Sequence, residues 1–153
     1  MEETHTFHST FNLVENGFQW MSCPENFSLT TDGLRINMDA EKNFWRVTYS
    51  KPHVIKEDGH VLYKTFPRDK NVMIETSFKL TAVNQLDQAG IILYTDSEHW
   101  VRAGLEYVEG RHKLSCVVTD NYSDWSTQDY TLGEQLDSKK RARKHRGKCS
   151  RYC

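Results

Sequence analysis

The sequence has few of the features that mark redox, metal or membrane proteins. Its four cysteines form no C-x-x-C pair, and its seven histidines are not grouped at zinc-ligand spacing. No apolar run approaches the length of about 20 residues that a membrane span needs, and the polar start, MEETHTFHSTF, lacks the apolar centre of a signal peptide. These absences predict a cytoplasmic protein with free thiols, no metal, no cofactor and no membrane role.

Catalytic signatures are also missing. There is no G-x-S-x-G, P-loop or dinucleotide-binding motif. Glycoside hydrolysis needs two carboxyl groups that flank the scissile bond, and neither Glu106 nor Glu75 has a second acid two residues away on its own strand. The sequence therefore predicts a protein that is not an enzyme. A cross-strand pair of Glu106 with Asp87 keeps a glycoside hydrolase open as the less favoured alternative.

Charge is divided between an acidic body and a basic tail. Residues 1–137 hold twelve basic and twenty-one acidic residues, a net charge of −9, whereas residues 138–153 hold eight basic residues and no acid. The stretch 133–153 has no hydrophobic alternation, which predicts a disordered tail. Its basic run, 139–148, is typical of a nuclear-import signal, of a solubilising tail, or of weak and salt-sensitive contact with nucleic acid.

The body of the chain shows the two-residue period of β-strands and no helical period. The segment 72–81, VMIETSFKLT, alternates most cleanly, with Val72, Ile74 and Phe78 on one side. Short strands with one oily face and brief turns predict an all-β fold, a two-sheet sandwich or jelly roll over residues 17–132, after an N-terminal segment 1–16. The other predicted strands are GLRINMD, NFWRVTYS, HVLYKTF, QAGIILY, WVRAGLEYV, HKLSCVVT and SDWSTQDYTL.

The hairpin DQAGIILYTDSEHWVRAGLEY, residues 87–107, predicts two different faces. Val101, Ala103, Leu105 and Tyr107 form an apolar set that we expect to face the core. The opposite set combines an aromatic ring, a cation and a carboxylate around Gly104, which suits a platform for sugar rings or an ordinary solvated sheet face. That set is Trp100, Arg102 and Glu106. Trp45, by contrast, is expected in the core.

Several stretches resemble a known family. FWRVTYS, DQAGIILYTDSEHWVRAGLEY and KLSCVVTDNYSDWS are similar to the uncharacterised family that includes the regulation-of-enolase protein, over residues 19–131. The resemblance implies a concanavalin A-like lectin/glucanase jelly roll and, by analogy with that superfamily, carbohydrate binding. A protein-interaction or regulatory module for a metabolic enzyme is the alternative. The candidate ligand-binding residues are Trp100, Arg102, Glu106, Asp87, Gln88, Ser115, Thr119, Asp124 and Trp125.

The chain departs from that family after the S-D-W motif. Family members continue with several more strands, whereas this chain becomes basic. We therefore expect a truncated or alternatively spliced product that lacks its last strands. Such a product would have unpaired strand edges and uncovered apolar side chains.

Overall fold

A computed structural model describes residues 4–49, 51–67, 69 and 71–129. Within these ranges every regular element is a β-strand and every strand pairing is antiparallel. The predicted all-β class is confirmed. The strands are β1 (Gln19–Met21), β2 (Asn26–Thr30), β3 (Gly33–Asn37), β4 (Phe44–Arg46), β5 (Ile55–Glu57), β6 (Val61–Tyr63), β7 (Gln88–Asp96), β8 (His99–Val108), β9 (Arg111–Asp120) and β10 (Tyr122–Asp129).

The largest sheet is four-stranded, in the order β10-β9-β8-β7. Its strands follow one another in the chain, so each neighbour is reached through a tight turn. The β8–β9 turn has Glu109 and Gly110 at φ 52° and 78°, and the β9–β10 turn has Asn121 at φ 61°. Glycine and asparagine adopt this left-handed region at low cost, which explains the positions of Gly110 and Asn121 in these turns.

Three two-stranded sheets come from the N-terminal half: β1 with β6, β2 with β3, and β4 with β5. Residues of β1, β4 and β6 pack on one face of the four-stranded sheet and give the molecule two layers, as in a β-sandwich. The jelly-roll connectivity stays a prediction.

The centre of the core is a small aromatic and aliphatic cluster. It consists of Phe44, Trp100 and Val117, and the Phe44 and Trp100 rings meet edge to face with centroids 5.8 Å apart. Trp45 packs against this cluster, as predicted from the sequence. Aromatic burial of this kind contributes a large share of the hydrophobic stabilisation of a small domain. The other side chains that pack against the cluster are Met21, Val61, Ile92 and Trp125.

The expected orientation of the four-stranded sheet is wrong. Trp100 and Glu106, expected to face solvent, are each only 3% exposed, whereas no residue of the expected core set on β8 is buried. The physical reason is that Phe44 and its neighbours cover the Trp100 side. Among the described residues nothing buries the other side, and Leu93 there is 58% exposed.

The segment 72–81 is not a strand, although its alternation predicted one. Most of its apolar side chains are exposed, and Met73 reaches 70%. A strand requires a hydrogen-bonded neighbour, and no described segment pairs with this one. The alternation shows that this segment could form a strand. The described part of the chain contains no strand that pairs with it.

The N-terminal segment packs through its aromatic residues. The rings of Phe7 and Phe11 lie 5.0 Å apart, and the Phe7 and Phe18 rings lie 5.4 Å apart. Lys64 lies over the Phe18 ring at 5.6 Å. These contacts connect the segment to the end of β6. The predicted basic tail, 133–153, lies outside the described residues.

Candidate functional site

Polar side chains gather on the buried face of the four-stranded sheet. The indole Nε1 of Trp125 donates to Glu106 Oε2 at 3.0 Å and to Ser115 Oγ at 3.2 Å. Arg102 lies four residues before Glu106 on β8, and Gln88 lies directly opposite Glu106 on β7. Both side chains therefore project from the same face as Glu106. We call Gln88, Arg102, Glu106, Ser115 and Trp125 the polar group. Its members come from all four strands of the sheet.

Two atoms of the polar group lack hydrogen-bond partners among the described residues. Arg102 Nε and Gln88 Oε1 are both buried and unpaired, although Gln88 Nε2 donates to Asn43 Oδ1 at 3.0 Å. Burial lowers the pKa of Arg102, and the Glu106 carboxylate partly opposes that shift. A buried donor and a buried acceptor without partners carry a desolvation cost that a ligand with hydroxyl groups could relieve.

The floor beside the polar group is formed by glycines. Gly90 and Gly104 are direct partners across β7 and β8. A Cβ placed on Gly104 would lie 2.0 Å from the Ala89 carbonyl oxygen, and one on Gly90 would lie 2.1 Å from the Ala103 carbonyl oxygen. Only glycine allows the two backbones this close approach. The backbone of the neighbouring strand thus occupies the place where a side chain between Arg102 and Glu106 would begin.

The structure brings some of the predicted site residues together and separates others. Gln88, Arg102, Glu106, Ser115 and Trp125 share the polar group described above. Trp100 is too deeply buried to offer its ring face to a sugar.

Three further candidates have local structural contacts or face elsewhere. Thr119 shares a hydrogen bond of 2.8 Å with Ser123, and both residues are buried. The Asp87 carboxylate accepts from the amides of Val83 and Asn84, each at 2.8 Å, and so holds the loop before β7. Asp124 is exposed on the opposite face of the sheet. Neither aspartate belongs to the polar group.

The polar group contains a single carboxylate. Across the strands Glu106 is opposite Gln88 on β7 and Lys113 on β9. Asp87, the acid that the sequence suggested as a cross-strand partner of Glu106, instead accepts hydrogen bonds from loop amides. Within the described ranges, no set of three or more His, Cys, Asp or Glu side chains is arranged to hold a metal ion. The same ranges contain no helix that is long and apolar enough to cross a membrane.

The opposite face of the sheet has a regular apolar block. Its rows run across β7, β8 and β9 and include Leu93 with Val101 and Val118, and Leu105 with Leu114. We call this block the apolar face. Its nine members are Ala89, Ile91, Leu93, Val101, Ala103, Leu105, Leu114, Cys116 and Val118. None of them is buried.

Sequence reasoning missed the residues that fasten the β4 end to β10. The Arg46 amide donates to Ser123 Oγ at 2.9 Å, and Arg46 Nε donates to the Asn121 carbonyl at 3.1 Å. The Arg46 guanidinium also pairs with Glu98. Arg46 and Ser123 lie in stretches that carried the family resemblance, which was the available signal. Nothing in the sequence indicated that they contact each other.

These features define an antiparallel β-sandwich domain with one covered polar face and one open apolar face. The chain belongs to the family described as "Protein of unknown function (DUF1349)", whose model matches residues 20–147. This match and the relatives below confirm the family resemblance.

Two curated relatives and one solved structure are similar to the chain. Regulation of enolase protein 1 of Saccharomyces cerevisiae is 30% identical over 119 residues, 72% of this chain and 54% of the relative. Uncharacterized protein AN7484 of Emericella nidulans is 28% identical over 107 residues, covering 67% of this chain and 52% of the relative. The chain thus spans about half the length of these relatives. The crystal structure of a functionally unknown protein from Saccharomyces cerevisiae has a TM-score of 0.56 at 28% identity, covering 75% of this chain and 60% of that one.

Proposed function

We propose that this chain is a non-catalytic binding module that contacts another protein through the apolar face. The observation that carries the proposal is the exposure of aliphatic side chains on a regular sheet, since Leu93, Leu114 and Val118 are all exposed. A contiguous apolar patch on a soluble protein is typical of an interaction surface, whereas single exposed apolar residues need no explanation.

The size of the apolar face indicates what kind of contact it makes. Three strands about 4.8 Å apart and three positions repeating about every 6.8 Å give the block roughly 300 Å². With a rim of similar area on each partner, the contact buries about 1,200 Å² in total, the lower end for specific interfaces. This size suits a reversible, regulatory contact better than a permanent one.

The surroundings of the apolar face add a charge preference. Asp120 and Asp124 project from the same side of β9 and β10, next to the aliphatic rows. The described body is part of a region of net charge −9. A partner with an apolar centre and basic residues at its rim matches this surface, because charge complementarity steers the encounter and sets its orientation.

The partner class we favour is a metabolic enzyme. The yeast relative has enolase regulation in its name, and its similarity extends over 72% of this chain. The single carboxylate in the polar group supports a role in binding without catalysis, since the nearest alternative, glycoside hydrolysis, works with two. We therefore propose enolase as the first partner to test.

The test measures binding of purified enolase to the immobilised full chain and to a Leu93→Asn/Leu114→Asn variant. We expect reversible binding by the unchanged chain and at least a tenfold loss for the variant, because two amides would replace aliphatic contacts at two opposite corners of the apolar face. Val83→Asn is the matched control, since Val83 is an exposed aliphatic residue outside the apolar face.

Two outcomes would contradict the proposal. Absence of enolase binding would reject this enzyme as the partner, and equal binding by the double variant would reject the apolar face as the surface. Thermal melts of all three proteins show whether the substitutions leave the fold intact.

A second candidate function is glycan binding at the polar group. It is favoured by one observation, the unpaired Arg102 Nε and Gln88 Oε1 beside the glycine floor. Sugar hydroxyl groups both donate and accept, so one ring could pair both atoms. Because Trp100 is covered, the binding would rest on hydrogen bonds instead of ring stacking on this residue.

Thermal melts across a panel of neutral glycans test this candidate. Stabilisation that grows with ligand concentration, and that disappears in Gln88→Leu, would support it. A melting temperature unchanged by every glycan would reject glycan binding and leave protein binding as the remaining candidate function.

A further inference from the structure

A separate recess lies between the β4–β5 loop and the start of β10. Its volume is about 410 Å³, within the range of sites for small molecules and large enough for a single sugar ring. It contains no residue of the polar group or of the apolar face. Its lining residues are Val47, Thr48, Tyr49, Lys51, His53 and Tyr122.

Hydrogen bonds fix the loop that forms one wall. The Arg46 amide donates to Ser123 Oγ at 2.9 Å, and the Thr48 hydroxyl donates to the Ser123 carbonyl. The Trp45 indole donates to the Thr48 carbonyl at 2.7 Å. The loop is therefore fastened both to β10 and to its own strand. A wall held in this way loses little conformational freedom when a ligand binds.

The loop backbone is also held in an uncommon conformation. Val47 has a φ of 71° and Tyr49 a φ of 66°, both in the left-handed region. This region is rare for side chains other than glycine and asparagine, and a β-branched valine there is a clear outlier. Such residues persist only where the surrounding contacts impose them, and they gather at binding sites. Here they place the Tyr49 ring at the recess.

The charge of the lining comes from Lys51, and His53 adds a ring N–H donor. Lys51 and His53 have no hydrogen-bond or ion-pair partner among the described residues, and no acidic residue lines the recess. Two aromatic rings stand beside them, with Tyr49 79% and Tyr122 61% exposed. Cationic lining is unexpected on a body with an excess of acidic residues, and it favours a negatively charged ligand.

We propose that this recess binds a small organic anion with a flat apolar face, a phosphorylated or carboxylated sugar. The Lys51 ammonium and a His53 ring N–H meet the anionic group, where charge-assisted hydrogen bonds are strongest. The rings of Tyr49 and Tyr122 contact the apolar face of the sugar. Shape and charge together set this ligand class.

Calorimetric titration of the full chain tests the proposal with three probes: glucose 6-phosphate, glucuronate and glucose. We expect saturable binding of at least one anionic probe and none of glucose. Binding of only one anion identifies whether the recess takes a phosphate or a carboxylate.

Variants assign the binding to the recess. Lys51→Gln and Tyr122→Ala should each lower the affinity for the anion by roughly tenfold, the size expected for loss of one strong polar or stacking contact. Lys42→Gln is the control, because Lys42 is an exposed lysine that pairs with Asp58 and does not line the recess. His53→Gln provides a further test if Lys51→Gln fails to fold.

Three results would overturn the proposal: no saturation by either anion, equal binding of glucose, or an affinity unchanged in Lys51→Gln, His53→Gln and Tyr122→Ala. These results do not bear on the apolar face, whose test uses other residues and another ligand.

Discussion

The two faces of the four-stranded sheet differ in an unexpected way: the face that holds the polar group is buried, whereas the apolar face is not. On one face Glu106, Ser115 and Thr119 are buried, together with Trp100 and Val117. On the other face, nine residues of β7, β8 and β9 form the apolar face, yet none of the nine is buried. The first face is covered by strands β1, β4 and β6, and the second has no described layer upon it.

This difference shows that composition alone does not determine which face of a sheet becomes the core. The buried face has its polar atoms largely paired internally, as with Trp125 between Glu106 and Ser115, which lowers the cost of covering them. The apolar face retains its hydrophobic driving force for contact with something else. One face stabilises this chain, and the other remains available for association.

The strongest way to test the contrast is to truncate one large side chain on each face. Trp100→Ala should lower the free energy of unfolding by about 3–5 kcal/mol, because it removes the centre of the core cluster. Leu93→Ala should change it by less than about 1 kcal/mol, because that side chain is already 58% exposed. Urea unfolding followed by tryptophan fluorescence measures both. Similar losses for the two variants would contradict the assignment of the core.

A smaller effect is expected from filling the glycine floor. Gly104→Ala should destabilise by about 1–3 kcal/mol, because the new Cβ meets the Ala89 carbonyl and the strands must separate. Gly110→Ala provides a comparison without a steric contact, since a Cβ there meets nothing within 4 Å and only its φ of 78° opposes the change. Thermal melts of both variants measure the difference. A Gly104→Ala protein as stable as the unchanged chain would show that the strands do not approach so closely.

The smallest effect concerns the β7–β8 turn, at the end of the sheet. A hydrogen bond to Asp96 raises the pKa of His99, so this contribution is present below the unfolded-state value of about 6.5 and is lost as the pH rises through the raised value. The Glu98 amide and then His99 lower the pKa of Asp96, so its contribution is present above about 3.9 and is lost as the pH falls through the lowered value.

Both contributions are in place only between about pH 4 and pH 6.5. The melting temperature of the unchanged chain should therefore exceed that of His99→Gln slightly near pH 5 and lose most of this margin near pH 8. The margin is small because both groups are exposed to solvent. A margin that grows toward pH 8 would contradict the assignment.

The strands that the sequence predicts best are those with eight to ten residues. Strands β7 to β10 alternate over enough positions to define a period, and their turns have Gly110 and Asn121 where φ is positive. Strands β4 and β6 have only three residues each, fewer than the predicted strands NFWRVTYS and HVLYKTF that contain them, and β1, also of three residues, was not predicted. Their positions depend on contacts with residues far along the chain, such as Arg46 with Ser123, which no local pattern encodes.

The candidate site could be predicted only in part, because local periodicity groups residues along one strand but does not show which distant strands pack against them. Period-two alternation correctly grouped Arg102 with Glu106 on one side of β8 but did not determine whether that side faces solvent. Orientation depends on which face the N-terminal strands cover. The recess beside Tyr122 was not predicted at all, because its lining joins residues 47–53 to a strand about seventy positions later.

The fastening of Arg46 to Ser123 also has a consequence for synthesis on the ribosome. The N-terminal strands emerge first, but their hydrogen-bond partner lies 77 residues later in the chain. At 5–20 residues per second this partner is translated roughly 4–15 seconds afterwards. The β7–β10 hairpins, by contrast, close between neighbours as soon as each turn is made, since short loops are quick to form. Until β7 to β10 have been translated, Phe44 and Trp45 have no sheet to pack against. We therefore expect the nascent chain to expose these two side chains to chaperones during that interval.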